Sequence, residues 1–248
     1  MSNKFTELFP DDLTYDKQSR VIKAKKIVAV ISDYLGNLSK LSCLDLGCSI
    51  GYITEALAKH FEKVVGVDVD GNAIGIAKKN IKKQNISFYI SHERELDFPD
   101  KNFDVVVFNQ IYEHVKDPGV IFLEIERILK KDGVCFFGAR NKYGIFDGHY
   151  KLPFISWLPK GLSDFYLRIF SPKKHYDINL LSLSDLKKLT RRFLIKDYTL
   201  DVIKRPEYFK ALDLVPKTLK INLAIYYVCK IFYPFIPNYI WILVKKDK

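Results

Sequence analysis

The stretch LDLGCSIGY, residues 44–52, decides the fold. It sets an apolar run of β character, an acid and two glycines side by side. Directly behind it YITEALAKHF, 52–61, reads as a helix, so the stretch is the turn from a strand into a helix. Gly47 and Gly51 lack Cβ atoms, which permits a tight bend and lets a ligand lie against the main chain. Taken alone, Gly-x-x-x-Gly is equally a plain turn. A second strand, VVGVDV at 64–69, adds to it: Asp68 stands near its end, roughly 20 residues past Gly47. A carboxylate there accepts hydrogen bonds from both hydroxyls of a ribose lying outside the carboxyl ends of parallel strands. The competing role for Asp68, capping the helix that starts near Gly71, suits Asp70 better.

Outward from this point, strand-like and helical stretches alternate. CLDL, VVGVDV, ISFYI, FDVVVF and VCFFGA are apolar on both faces and rich in Val, Ile and Phe, as strands of a helix-covered parallel sheet are. Helices are predicted at 52–61, 72–84 and 118–130, the last closing on Lys130-Lys131-Asp132-Gly133. Ahead of the sheet, residues 15–36 give a helix with Val21, Ala24, Val28, Ile31 and Leu35 on one side, ended by Gly36. Lys17, Arg20, Lys23, Lys25 and Lys26 fall largely elsewhere on it. Past Ala139 the pattern breaks: 141–181 is aromatic, proline-bearing and without clear periodicity, an insertion or lid over the carboxyl edge of the sheet. LSLSDLKKLTRRF restores a helix capped by Ser182 or Ser184. FLIKDYTL and YIWILVKK are the expected last strands, with a proline-punctuated helical segment at 206–237 between them. The expected fold is α/β: one domain with a doubly wound, mostly parallel seven-stranded sheet, a lid after the fifth strand, a cofactor-binding core at 41–140 and C-terminal elements at 182–248.

Composition narrows the function classes. The 248 residues carry a net charge of +11, which suits nucleic acid, an anionic membrane, acidic metabolites or simply a lysine-rich surface. Cys43, Cys48, Cys135 and Cys229 lie far apart with no Cys-x-x-Cys pair, against a zinc site and against a disulfide framework. No metal ligand set is expected. The opening MSNKFTELFPDD is acidic and lacks an apolar core, so no secretory signal is expected and the location is cytoplasmic.

The turn itself selects among cofactors. A dinucleotide fingerprint, Gly-x-Gly-x-x-Gly, requires glycines where Ser49 and Tyr52 stand. A ligand without phosphates tolerates the looser turn, and S-adenosylmethionine is one. From 41 to about 140 the chain resembles the class I S-adenosylmethionine-dependent methyltransferases, near the "type 11" group that includes quinone-biosynthesis enzymes. The carriers are LDLGCSIGY, VVGVDVD, FPDKNFDVVVFNQIYEHVKDP and ILKKDGVCFFGARNKYG, in that order. The resemblance implies that Asp45 lies near the methionine amino group. It places the backbone of Gly47, Cys48, Ser49 and Gly51 around the methionine part and Asp68, with Val69 beside it, on the ribose. Asn109 completes the set. Two departures stand out. Ser49 replaces the middle glycine, and Ser91-His92-Glu93 stands where many members have Asp-Ala near the adenine, leaving His92 or Glu93 for that role or for a surface loop.

Methyl transfer from a sulfonium is an in-line displacement that gains much from positioning, and a hydroxyl acceptor also needs its proton removed. NQIYEHV follows the fourth strand and brings Glu113 and His114 to the substrate edge; the resemblance puts this pair beside the reacting methyl, while capping or loop packing is the plain alternative. His149, in FDGHYKLPFISWLP, is a second catalytic candidate, with Tyr150, Phe154 and Trp157 in an acceptor pocket, or all four simply pack a lid. His175 is weaker, in an exposed basic turn. Asn109-Gln110-Ile111-Tyr112 lacks the prolines of Asn-Pro-Pro-Tyr, which counts against nucleic-acid bases as substrates. LKINLAIYYVCKIFYPFIPNYIWILVKK, 219–246, is interrupted by Lys230, Pro234 and Pro237, too short an apolar run to span a bilayer. It is either a packed helix and strand or an interfacial segment in peripheral contact with a membrane. The expected activity is O-directed methylation of a small-molecule or lipid- or glycan-linked acceptor. A non-catalytic domain of the same fold, serving as a partner surface, is the rival, and a dinucleotide oxidoreductase a weaker third.

Overall fold

Strands that are apolar on both faces can only sit in the middle of a layered structure, and that is where the chain puts them. The computed structural model describes residues 16–92, 95–147, 150, 152–171, 175–214 and 219–246. Seven strands, β1 (Ser42–Leu46), β2 (Lys63–Asp68), β3 (Ile86–Ile90), β4 (Phe103–Asn109), β5 (Leu129–Arg140), β6 (Phe193–Asp197) and β7 (Asn238–Lys245), form one sheet in the order β3-β2-β1-β4-β5-β7-β6. β1 to β5 pair in parallel. β7 runs antiparallel between β5 and β6. The carboxyl ends of the five parallel strands therefore share one edge.

Helices α1 (Lys17–Leu35), α2 (Tyr52–Leu57), α3 (Gly71–Asn80), α4 (Pro118–Ile128), α5 (Lys160–Phe170), α6 (Leu183–Leu189), α7 (Thr199–Lys204) and α8 (Leu219–Ile231) complete the described elements. β4 shows how the sheet makes two cores from one sequence. Val106 and Phe108 enter a layer with Phe122, Ile125, Leu186 and Trp241. Val105 and Val107 enter the opposite one with Ile27, Ile31, Leu57 and Val202, as the two-residue period of a strand dictates. The helix starts follow the sequence signals. Asp16, Asp70, Asp117 and Ser182 accept backbone N–H groups at the starts of α1, α3, α4 and α6, and Gly36 closes α1 at φ +79°. All four cysteines are free thiols.

Several boundaries differ from expectation, each for a packing reason. α4 stops at Ile128 rather than 130: fully buried Leu129 pairs with Phe103, and Lys130 reaches the Asp104 carboxylate at 2.7 Å. The lysines and Gly133 thus form an irregular start to β5, where the pairing shifts before Val105 meets Val134. α2 ends at Leu57, where Asn85 turns its side-chain amide onto the Ala58 and Phe61 carbonyls, and α3 ends at Asn80, with Ile81 already extended. FLIKDYTL is extended only to Asp197, whose carboxylate accepts the Thr199 N–H and opens α7. Among the described residues between 206 and 237 the regular helix is α8, followed by a 3₁₀ turn at Tyr233–Phe235. Residues 141–181 hold a helix that was not expected, α5, around a small core of Ile155, Leu167, Tyr176 and Ile178. The insertion leaves from the end of β5 and returns to it: Asn141 bridges Leu181, and Lys142 N–H donates to the Leu181 carbonyl. It is thereby anchored at the carboxyl edge.

Candidate active site

The turn after β1 is held by its neighbour strand. The N–H groups of Gly47 and Cys48 both donate to the Val67 carbonyl, at 2.8 and 2.9 Å. Ser49 N–H donates to one oxygen of Asp68 at 2.7 Å, Asp70 N–H to the other at 3.0 Å, and Gly51 N–H to the Cys48 carbonyl. Gly47 and Gly51 stand at φ +79° and +84°, where glycine is the unstrained choice. A Cβ on Gly47 would also fall 2.6 Å from Ile111, and one on Gly51 2.7 Å from Phe88. Ser49 adopts φ +50° despite its Cβ, a conformation that costs an L residue about 1 kcal/mol. The turn thus forms with Ser49 in the left-handed region at that cost.

These bonds bear on what the turn can hold. The N–H groups of Gly47, Cys48, Ser49 and Gly51 already have acceptors, and two carboxylates, Asp45 and Asp68, stand beside them, so a pyrophosphate meets negative charge where it needs donors. Asp68 is half-buried, and each of its oxygens keeps further lone-pair capacity for a hydroxyl. Burial pushes its carboxyl above the usual range against the opposing effect of the Asp70 and Ser49 N–H bonds. Val69 beside it is 45% exposed, an apolar surface at the strand end. Asp45 is buried and accepts the Thr54 hydroxyl at 2.7 Å. Burial raises its pKa to about 6; the Thr54 bond opposes this, Asp68 adds to it, and the Arg20 charge lowers it. The donor set fits an adenosyl ligand without phosphates and with a positive amino or sulfonium group near Asp45.

Helix α1 brings in residues that the sequence reading had assigned to other faces. Arg20 lines a small cavity over the turn with Gly47, Cys48, Ser49, Ile50, Tyr52 and Ile53. Lys17 pairs with Glu55 at 3.3 Å and lies over the Tyr52 ring. Lys23 donates to Gln110 Oε1 at 3.2 Å, and Lys26 is buried against Asp213 at 3.0 Å. The only sequence signal was the three-residue spacing of Arg20 and Lys23, which puts both on one side of the helix.

The opposite wall follows β4. Asn109 is half-buried at the strand end opposite Gly138, where a Cβ would fall 2.0 Å from Asn109 Oδ1. Gln110 takes φ +56° and donates its N–H to the Gly138 carbonyl. The Tyr112–His114 turn is clamped from both sides: Tyr112 donates its hydroxyl to the Arg140 carbonyl at 2.6 Å and accepts from Leu181 N–H, while Asn179 N–H donates to the Glu113 carbonyl. Glu113 is fully buried with Arg140 Nε 3.5 Å from its carboxylate, so its side chain faces inward, while His114 is half-buried. Ile111, one residue past Gln110, covers Gly47. The structure thus brings Asp45, Gly47, Cys48, Ser49, Gly51, Asp68 and the segment from Asn109 to His114 to one edge.

The remaining candidates sit farther out. His92 is exposed beyond the end of β3; Glu93 and His149 lie outside the described residues. Tyr150 donates to Asp177 at 2.6 Å. Phe154 and Trp157 are edge to face, and Trp157 stacks on Phe235. His175 is exposed beside Asp164. Among the described residues no cluster of His, Cys, Asp and Glu suits a metal ion.

Comparisons with known proteins agree with this geometry. A family model described as "Methyltransferase domain" matches residues 44–137. A ubiquinone biosynthesis O-methyltransferase of Pelagibacter ubique (strain HTCC1062) is 31% identical over 159 residues, 61% of this chain and 65% of that protein, just under two thirds of its length. Among solved structures, the PH0226 protein of Pyrococcus horikoshii OT3 superposes with a TM-score of 0.61 at 18% identity, over 98% of both chains. The plantazolicin methyltransferase BpumL, solved in complex with SAH, superposes with a TM-score of 0.59 at 17% identity, over 94% of this chain and 86% of that one. With the strand order, the glycine turn and the strand-end carboxylate in place, residues 44–137, within the parallel half of the sheet, match the methyltransferase domain, and the chain is similar to S-adenosylmethionine-dependent methyltransferases.

Proposed function

We propose that the protein is an S-adenosylmethionine-dependent O-methyltransferase acting on a small-molecule or a lipid- or glycan-linked acceptor, in the cytoplasm and in peripheral contact with a membrane surface. The observation that carries the reading is the Asp68 carboxylate, held by the N–H groups of Ser49 and Asp70 at the ends of β1 and β2, which supports it as the acceptor for ribose hydroxyls. S-adenosylmethionine supplies the activated methyl group. Asp68, with Val69 beside it, takes the ribose, Asp45 faces the positive methionine end, and Arg20 suits its carboxylate. The backbone of Gly47, Cys48, Ser49 and Gly51 shapes the floor, Asn109 closes one side, and His92 or Glu93 meets the adenine.

In the transfer the carbon–sulfur bond breaks as the carbon–oxygen bond forms, and the acceptor's proton must leave. His114 is the general base of this reading, with His149 as the second candidate. Glu113 is a positioning residue: its buried carboxylate beside Arg140 ties the turn bearing His114 to the end of β5. The O-methyltransferase relative supports oxygen as the acceptor atom.

Calorimetric titration with S-adenosylhomocysteine tests the cofactor site. Micromolar binding is expected, weakened about a hundredfold or more in Asp68→Ala, on the scale of two charge-assisted hydrogen bonds. No heat at millimolar ligand would leave a non-catalytic scaffold. His114→Ala is expected to lower turnover about a hundredfold while cofactor affinity stays within about twofold; unchanged turnover would remove it from the mechanism.

A further inference from the structure

Helix α8 carries its apolar residues on the wrong side for a protein surrounded by water. A surface helix turns its apolar stripe inward and its polar face out. Here Leu223, Tyr227 and Ile231 repeat at four-residue spacing on the outside, 40%, 58% and 73% exposed. Phe232 and Phe235 continue the stripe past the helix end. The same helix is already packed inward through Asn222 and Cys229, so the outer stripe is a second apolar face. It runs into the insertion, where Trp157 stacks on Phe235 and Phe154 meets Trp157 edge to face, both rings half-exposed.

Charge identifies the occupant. From 214 to 244 the sequence contains no Asp or Glu but has Lys217, Lys220 and Lys230. Tyrosine, phenylalanine and aliphatic side chains on a segment whose own charged residues are all cations suit the boundary between lipid headgroups and acyl chains, and each lysine near an anionic surface adds attraction. A water-facing apolar patch of this size on a monomer marks a contact. No helix among the described residues is long and apolar enough to cross a membrane, so the contact is lateral. We propose that the outer face of α8, with Phe232, Phe235, Phe154 and Trp157, seats the protein on an anionic lipid bilayer.

The fold ties this face to the candidate active site. Asn141, the residue after the end of β5, donates both side-chain N–H bonds at 2.8 Å, to the Pro234 and Ile236 carbonyls, and its own N–H to Pro237. Seating on lipid therefore brings the carboxyl edge of the sheet toward the bilayer, where an acceptor with a lipid tail is dissolved. This delivery role rests on the methyl-transfer reading; the docking does not.

The test is co-sedimentation of the full chain with vesicles of mixed phosphatidylcholine and phosphatidylglycerol, and of phosphatidylcholine alone, with no acceptor or cofactor present. Partition onto the anionic vesicles is expected to exceed that onto the neutral ones about tenfold or more and to weaken in high salt. Ile231→Glu with Phe232→Glu changes exposed positions only and is expected to cut it about tenfold or more, with the melting temperature and S-adenosylhomocysteine affinity unchanged. Independently of any variant, Trp157 reports the contact. The other tryptophan, Trp241, is fully buried, so a blue shift of emission on adding anionic vesicles, absent in Trp157→Phe, supports docking. Equal partition onto both vesicle types, or no emission change, overturns the proposal. So does a dimer that the double glutamate variant splits, which would make the face a contact between copies. None of these outcomes touches the calorimetric test of the cofactor site.

Discussion

Asp45 is the residue whose physics is easiest to isolate. Burial holds its pKa at about 6 in the fold, against 3.8 when unperturbed. The folded chain therefore holds this proton more tightly than the unfolded chain, and stability falls as pH rises through the interval between the two values. Two pH units correspond to about 3 kcal/mol lost from this group, after which the curve flattens. Asp68 is shifted the same way and adds to the slope. Asp45→Asn, which keeps an oxygen for the Thr54 hydroxyl, is expected to remove its share, so that urea midpoints at acid and neutral pH converge relative to wild type. Parallel pH slopes in the two proteins would show that Asp45 titrates normally. The sequence displayed the charge and its place after the strand, but not its burial: that comes from α1 and α2 closing over the turn. Arg20 was hidden in the same way, since a cation in an amphipathic helix looks like any solvated one until the helix is docked.

At the scale of elements, what was legible divides along a physical line. β1, β2, β4 and β5 were readable because a strand covered on both faces must be apolar throughout, and two caps were readable because Asp70 and Ser182 satisfy local N–H groups. α5 was not: Leu162, Phe165, Ile169 and Phe170 are exposed on a helix whose Leu167 is buried, so apolar residues appear on both sides and no stripe stands out. The end of α4 was misplaced because the pairing of Leu129 with Phe103, 26 residues apart in sequence, outbids a good local stop signal. The site divides likewise, the glycine turn and Asp68 being visible as a motif and the inward turn of Glu113 requiring Arg140. The element contact that matters most beyond the core is Asn141 against the Pro234–Pro237 segment. Asn141→Ala removes two donors from carbonyls of that segment and is expected to cost about 2–3 kcal/mol, read as a lower urea midpoint with an unchanged slope. A change below a few tenths of a kcal/mol would show that water replaces the amide.

For the whole molecule, ligand linkage gives the plainest measurement. If S-adenosylhomocysteine binds only the folded state, a concentration a hundredfold above its Kd stabilises by about 2.7 kcal/mol, which for a chain of this size raises Tm by about 5–10 °C. Asp68→Ala is expected to abolish most of that rise at the same ligand concentration, and a full rise in the variant would place the ligand elsewhere. The sheet order carries a different consequence. β6 touches the sheet only through β7, and β7 is the last strand to be made. Until residues 238–245 are made, β6 lacks its native neighbour and β5 presents an open flank of backbone, a template for unintended strand pairing. A chain cut before Asn238 is therefore expected to self-associate through that flank, read as a larger species on size exclusion than the full chain gives.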